Sequence, residues 1–132
     1  MSKNPVVHFE MPYDDHARLA KFYEDAFGWK MNALGPEMGG YVMAHTAETD
    51  ENMMVTTPGT INGGFFDRSQ SATGGTSVVI AVDDIAATVK AVTAAGGKVI
   101  AGPMPIPGIG DYIAFTDSEG NTVGALQPAP MG

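Results

Sequence analysis

The chain predicts an α+β fold made of two tandem βαβββ modules, a curved mixed sheet around a cleft with a helix outside each half. Three observations carry this reading. Strand-like and helix-like stretches follow one another in the same order twice. The interval from Asp15 to Gly28 and that from Asp83 to Gly96 are both thirteen residues. Lys30 and Lys98 then fall at the same offset after those glycines. A repeat of about sixty residues makes physical sense here, because each half alone leaves a sheet face that it cannot bury. Module one spans about residues 5–68, a Ser/Thr/Gly link covers 69–75, and module two spans about 76–128. Together they make one domain.

The elements follow from local pattern. Val6 to Met11 read as a strand with His8 and Glu10 on one face, since side chains alternate across a strand. Asp14 or Asp15 can cap a following helix by accepting a free backbone N–H. Leu19, Phe22, Tyr23, Ala26 and Phe27 recur at the spacing of an amphipathic helix, and Gly28 stands where a left-handed cap ends one. Trp29 to Ala33 and Tyr41 to His45 predict two strands around a Gly/Pro turn. Residues 47–60 are polar and irregular, and Ile61 to Phe66 predict a fourth strand. In the second half, Ser77 to Val82 predict a strand, Asp83 or Asp84 a cap, and Ile85, Val89 and Val92 a helical stripe that Gly96 ends. Lys98 to Ala101, Tyr112 to Thr116 and Thr122 to Gln127 complete the set. Asp117 to Asn121 form a tight turn. Pro103 to Gly108 predict a rigid apolar loop, a cavity rim or a dimer contact, in which any X-Pro bond could be cis.

Composition narrows the functions. The chain has 132 residues, 44% of them apolar, enough for a core without disulfides. With no cysteine, thiolate chemistry and Cys-bound zinc are excluded. A formal charge of −8 disfavours nucleic acid and anionic membrane as partners. No apolar run reaches the ~20 residues of a membrane helix, and the opening residues show no signal peptide, so the expectation is a cytoplasmic protein. Nine methionines suit either ordinary core filling or a pliable apolar pocket. Gly108-Ile109-Gly110 lacks the third glycine of a dinucleotide fingerprint, and neither a P-loop nor a G-x-S-x-G elbow is present.

Val7-His8-Phe9-Glu10-Met11-Pro12, Phe22-Tyr23 with Phe27-Gly28-Trp29, Val82-Asp83-Asp84, Ala95-Gly96-Gly97, Pro107-Gly108-Ile109-Gly110 and Asp117-Ser118-Glu119-Gly120-Asn121 carry a resemblance over essentially the whole chain. They are similar to the vicinal-oxygen-chelate superfamily of glyoxalases, bleomycin-resistance proteins and extradiol dioxygenases, and within it to a bacterial subgroup related to lactoylglutathione lyase. The resemblance implies a divalent metal held by side chains from the first and last strand of each half. His8, fourteen residues before Phe22, matches the first-strand ligand. The other positions depart: Ser77 stands where the second histidine would be, Gly124 where the last-strand glutamate would be, and Gly63 or Gly64, beside Asn62, in the first half. One imidazole cannot hold such a metal, which needs three or four convergent donors. The reading is therefore that no cofactor is used, with a weakly bound divalent metal left open.

The resemblance also turns the His8 and Glu10 face toward the ligand cavity, which makes that pair the candidate catalytic groups, a general base and its orienter. Tyr41, Met43 and His45 share a strand face and are candidate ligand contacts, with Ser77, Tyr112 and Leu126 from the second half. His16, in the first helical turn, is read as a surface residue. The functional expectation is a glyoxalase- or dioxygenase-like protein that binds or transforms a small organic molecule in the sheet cleft without the usual metal site. Two alternatives stay open: a ligand- or drug-sequestering protein of the bleomycin-resistance type, and a metal-dependent lyase or dioxygenase with non-standard ligands. The expected partners are a small-molecule ligand and a second copy of the chain in a homodimer.

Overall fold

The computed structural model describes residues 3–70 and 75–129, among which there are eight strands and two α-helices. The chain divides into two compact units, His8–Thr76 and a second made of Met1–Val7 with Ser77–Gly132. The link expected at 69–75 lies mostly outside the described residues. Its first two residues close the short 3-10 turn Arg68–Gln70.

The His8–Thr76 unit holds β1 (Val6–Tyr13, from His8 onward), α1 (His16–Phe27), β2 (Lys30–Ala33), β3 (Val42–His45) and β4 (Asn62–Asp67). Its strand order is β2-β3-β4-β1: β2 and β4 flank β3 antiparallel, and β1 runs parallel to β4. The second unit holds β5 (Ser77–Ala81), α2 (Ile85–Ala94), β6 (Lys98–Ile106), β7 (Gly110–Thr116) and β8 (Thr122–Pro128). Its order is β6-β7-β8-β5, again with one parallel pair, β5 with β8. The repeat read from the sequence is thus a repeat of topology.

Local chemistry sets the helix ends. Asp15 accepts the Arg18 amide at 3.1 Å and Asp84 the Ala87 amide at 3.0 Å, so the second aspartate of each pair is the cap. Gly28 takes φ +70°, a conformation open to glycine at little cost, and its N–H returns to Glu24. The α2 start has a second tie, because Gln127 on β8 accepts the Ile85 amide at 2.9 Å.

Each sheet buries one face under its own helix. Tyr13, Val42, Ala44 and Phe65 form the first core, with Phe9, Met11, Leu19, Tyr23, Trp29 and Met31 packed on it. Val82, Ile85, Ile113 and Ala125 form the second, joined by Ile80, Val89, Val99 and Phe115. Two expectations need correction. Phe22 and Phe27 do not join the buried stripe of α1: they are 56% and 62% exposed, since only the arc through Leu19 and Tyr23 meets the sheet. Phe22 and Phe27 instead make edge-on ring contacts with each other, and both also lie against Tyr23. The apolar stretch from Pro103 is not mainly a loop either. β6 continues through it to Ile106, opposite Tyr112, Asp111 and Gly110 of β7, with the Gly102–Pro103 bond cis. Prolines fit there because β6 pairs on one side only in its unit's sheet, and no ladder N–H is needed on the other.

Candidate functional site

Alternation fixes what each unit presents on its helix-free face. With Phe9, Met11 and Tyr13 turned to the first core, His8, Glu10 and Pro12 point the other way. On β3, Val42 and Ala44 are buried, which puts Tyr41, Met43 and His45 on the helix-free side. The register aligns them: Glu10 pairs with Gly64, and Gly64 with Met43, so these three make one row across β1, β4 and β3. The structure therefore places five of the eight candidates, His8, Glu10, Tyr41, Met43 and His45, on one face of one unit. His45 stands opposite Lys30 at the far edge.

Two of these side chains touch through hydrogen bonding. His8 Nε2 and the Tyr41 hydroxyl are 2.8 Å apart. Tyr41 reaches His8 by crossing Gly64, and a Cβ built on Gly64 would overlap the phenol. Burial pushes the His8 imidazole below the ordinary histidine value of 6.5, favouring its neutral form. A neutral imidazole beside a phenol can accept, donate or relay a proton. Asn62, next along β4, does not serve this face: its side-chain oxygen accepts the Thr46 and Ala47 amides at 2.8 and 3.0 Å and so fastens the end of β3.

The other three candidates lie on one face of the second unit. Leu126 pairs with both Ala81 and Tyr112, and Ser77 lies on the same helix-free face as Val79, Ala81 and Tyr112. Here too a tyrosine lies over a glycine: a Cβ on Gly124 would come within 2.7 Å of the Tyr112 hydroxyl. The equivalence is complete in register. Gly64 pairs with Met43, two residues after Tyr41, and Gly124 with Ala114, two residues after Tyr112. On the parallel neighbour, Glu10 matches Val79, and hence His8 matches Ser77. By this register Gly64, not Gly63, is the first-half counterpart of Gly124. Gly63 faces the other way, where a Cβ would overlap the Phe9 ring.

This donor set does not fit a chelated divalent metal. Among the described residues no three His, Asp or Glu side chains converge on a point that could hold an ion. Two surface recesses lie on the helix sides, of about 260 Å³ beside Val92 and Phe115 and about 380 Å³ beside Leu19 and Arg68. Neither includes His8, Glu10 or Tyr41. No described helix is long and apolar enough to cross a membrane.

Sequence reasoning missed the pairing of Tyr41 with His8, separated by 33 residues. The signal was the aromatic-to-glycine match in both halves, visible only once the register is known.

The family model described as Glyoxalase/Bleomycin resistance protein/Dioxygenase superfamily matches residues 6–124. A glyoxylase-like domain-containing protein of Didymella fabae is 36% identical over 121 residues, covering 89% of this chain and 88% of the relative. A Vibrio cholerae protein titled "Probable lactoylglutathione lyase" is 29% identical over 129 residues, covering 96% and 93%. Among solved structures, a Streptomyces coelicolor methylmalonyl-CoA epimerase in complex with 2-nitronate-propionyl-CoA superposes with a TM-score of 0.72 at 15% identity, covering 98% of this chain and 100% of the other. At that identity the likeness concerns the fold.

Proposed function

The chain belongs to the glyoxalase/bleomycin resistance protein/dioxygenase superfamily, and from that premise we propose that it holds a small, partly apolar, oxygen-bearing organic molecule on the helix-free face of the His8–Thr76 unit. The observation that carries the reading is the 2.8 Å contact between His8 Nε2 and the Tyr41 hydroxyl. Beside that pair stand Glu10 on the same strand and Met43 in the adjoining row. The polar groups on this face are thus few, two of them in hydrogen-bond contact, with a thioether on the same face, a composition that suits a small-molecule site. His8 and Glu10 are the candidate acid–base groups, and Tyr41 is the partner that orients the imidazole. A neutral imidazole sharing a hydrogen bond with a phenol supplies proton transfer without a Lewis acid, so transformation of the bound molecule is part of the reading. The same reading carries a cytoplasmic setting and a homodimer.

A thermal-shift screen of small keto acids, ketones and hydroxy acids tests it. A compound present at 100 times its dissociation constant stabilises by about 2.7 kcal/mol, a readily measured shift. At least one compound is expected to stabilise the wild type and to lose that effect in both His8→Ala and Glu10→Gln. Stabilisation that survives both substitutions would place the binding elsewhere. NMR of the incubated compound then separates turnover from simple capture.

A further inference from the structure

We propose that Tyr41 acts as a metal-excluding plug: its ring fills the space of a last-strand ligand side chain, and its hydroxyl engages the one imidazole that a metal would use. Two independent features carry this, one steric and one chemical. A ligand side chain at position 64 would have to start from a Cβ, and that Cβ would overlap the Tyr41 hydroxyl and ring. His8 Nε2, the nitrogen facing this region, is hydrogen-bonded to the same hydroxyl at 2.8 Å. Binding a metal there would require the ring to move and this bond to break, with only His8 and Glu10 left as donors on β1.

The second unit repeats the steric half of the device, with Ser77 standing where the first unit has the His8 imidazole. Tyr112 lies over Gly124, with its hydroxyl 2.7 Å from where a Cβ would stand. The positions matching His8 and Glu10 are Ser77 and Val79, neither a useful donor. A tyrosine over a glycine at both equivalent positions is what a chain would show if the ring, rather than a carboxylate, had been built into the last-strand place of each half. The inference rests on the proposed site but not on its ligand, so metal alone can test it.

The experiment is equilibrium dialysis of the full chain against Zn²⁺, Ni²⁺ or Mn²⁺, with elemental analysis and calorimetry. The wild type is expected to take up no stoichiometric metal. The double variant Tyr41→Ala/Gly64→Glu is expected to gain a site of about one equivalent, with His8, Glu10 and the introduced carboxylate as three protein donors. Adding His8→Ala should abolish that gain. The matching variant Tyr112→Ala/Gly124→Glu should gain nothing, because Ser77 and Val79 cannot complete a donor set. Circular dichroism confirms that each variant is folded. One equivalent in the wild type, lost in His8→Ala, overturns the proposal. So does a folded Tyr41→Ala/Gly64→Glu variant that takes up no metal, or equal uptake by the Gly124 variant. As the single variant that spares the backbone, Tyr41→Phe keeps the ring and frees His8 Nε2. Its His8 ring-nitrogen resonances should shift, and unchanged resonances would remove the chemical half of the argument. A failed small-molecule screen would sink the proposed function and leave these results as they stand.

Discussion

Tyr112 leans over Gly124 so closely that a Cβ on that glycine would stand 2.7 Å from its hydroxyl and 2.8 Å from its ring. Gly124 is buried and pairs with Val79 and Ala114 on its two sides, so the strand cannot easily retreat. Gly124→Ala is therefore expected to cost about 1–3 kcal/mol, the usual range for forcing an extra methyl into a packed place. The ring is the obstacle, so the same substitution in a Tyr112→Ala background should cost less. A double-mutant cycle by urea denaturation measures that coupling. Equal costs in the two backgrounds would show that the backbone, not Tyr112, sets the limit.

The His8 imidazole gives the stability a pH dependence of known sign. Burial lowers its pKa in the native state from 6.5, so the unfolded chain binds more protons as pH falls. The contribution is present above the unfolded value and is lost as pH drops through it toward the lower native one. One such group changes stability by at most about 1.4 kcal/mol per pH unit. Asp67 and Asp117 are held below 3.8 chiefly by side-chain hydrogen bonds from Ser69 and Asn121, so their effect falls in a separate, more acidic window. Unfolding free energies followed from pH 7 down to about 5 should decline in the wild type, and decline less in His8→Gln. Parallel curves would assign the slope to other groups.

Gln127 offers a third test, remote from the site. Its side-chain oxygen accepts the amide of Ile85, a buried residue at the start of α2, across 42 positions of sequence. Gln127→Leu keeps the bulk but removes the acceptor, leaving that N–H without its protein partner. The expected loss is about 1–3 kcal/mol, and Gln127→Glu, which retains an acceptor, should recover part of it. Chemical denaturation gives both numbers, and a neutral Gln127→Leu would mean that water replaces the side chain.

These tests also mark where the sequence was readable. A helix cap within each aspartate pair, and the cap glycine Gly28, were legible because their partners lie within four residues, although which aspartate caps was not. The strand set was legible from alternation, and His8 with Glu10 on one face followed from it. What was hidden depends on pairing at a distance. Gly63 and Gly64 look alike in sequence, yet one makes room for Phe9 and the other for Tyr41, a choice fixed by the β3–β4–β1 register. The helical spacing of Phe22 and Phe27 suggested burial, but spacing alone does not say how wide an arc the sheet will cover. The prolines at 103 and 105 read as loop, because nothing local announces that β6 has only one neighbour in its unit.

The last prediction concerns a large cationic drug. A charge of −8 invites the drug-sequestering alternative, in which the chain would bind bleomycin. The position of the acids argues against it. Asp14 is ion-paired with Arg68 at 2.9 Å and Asp25 with Lys21 at 2.6 Å. Asp15 and Asp84 cap helices. Asp50 accepts the Asn52 and Met54 amides, Asp67 that of Ser69, and Asp117 those of Glu119 and Asn121. These carboxylates hold turns and helix ends together on exposed segments, where salt screens them beyond about 8 Å at physiological strength. On the helix-free strand faces Glu10 is the acid in the candidate set, and a single carboxylate provides little grip on a multiply charged ligand. Bleomycin is therefore expected to bind no tighter than about 1 μM at physiological salt. Calorimetric titration of the wild type decides it. Submicromolar affinity that persists in high salt and falls in Glu10→Gln would reverse the conclusion and make capture, rather than the small-molecule chemistry of His8 and Tyr41, the activity of this face.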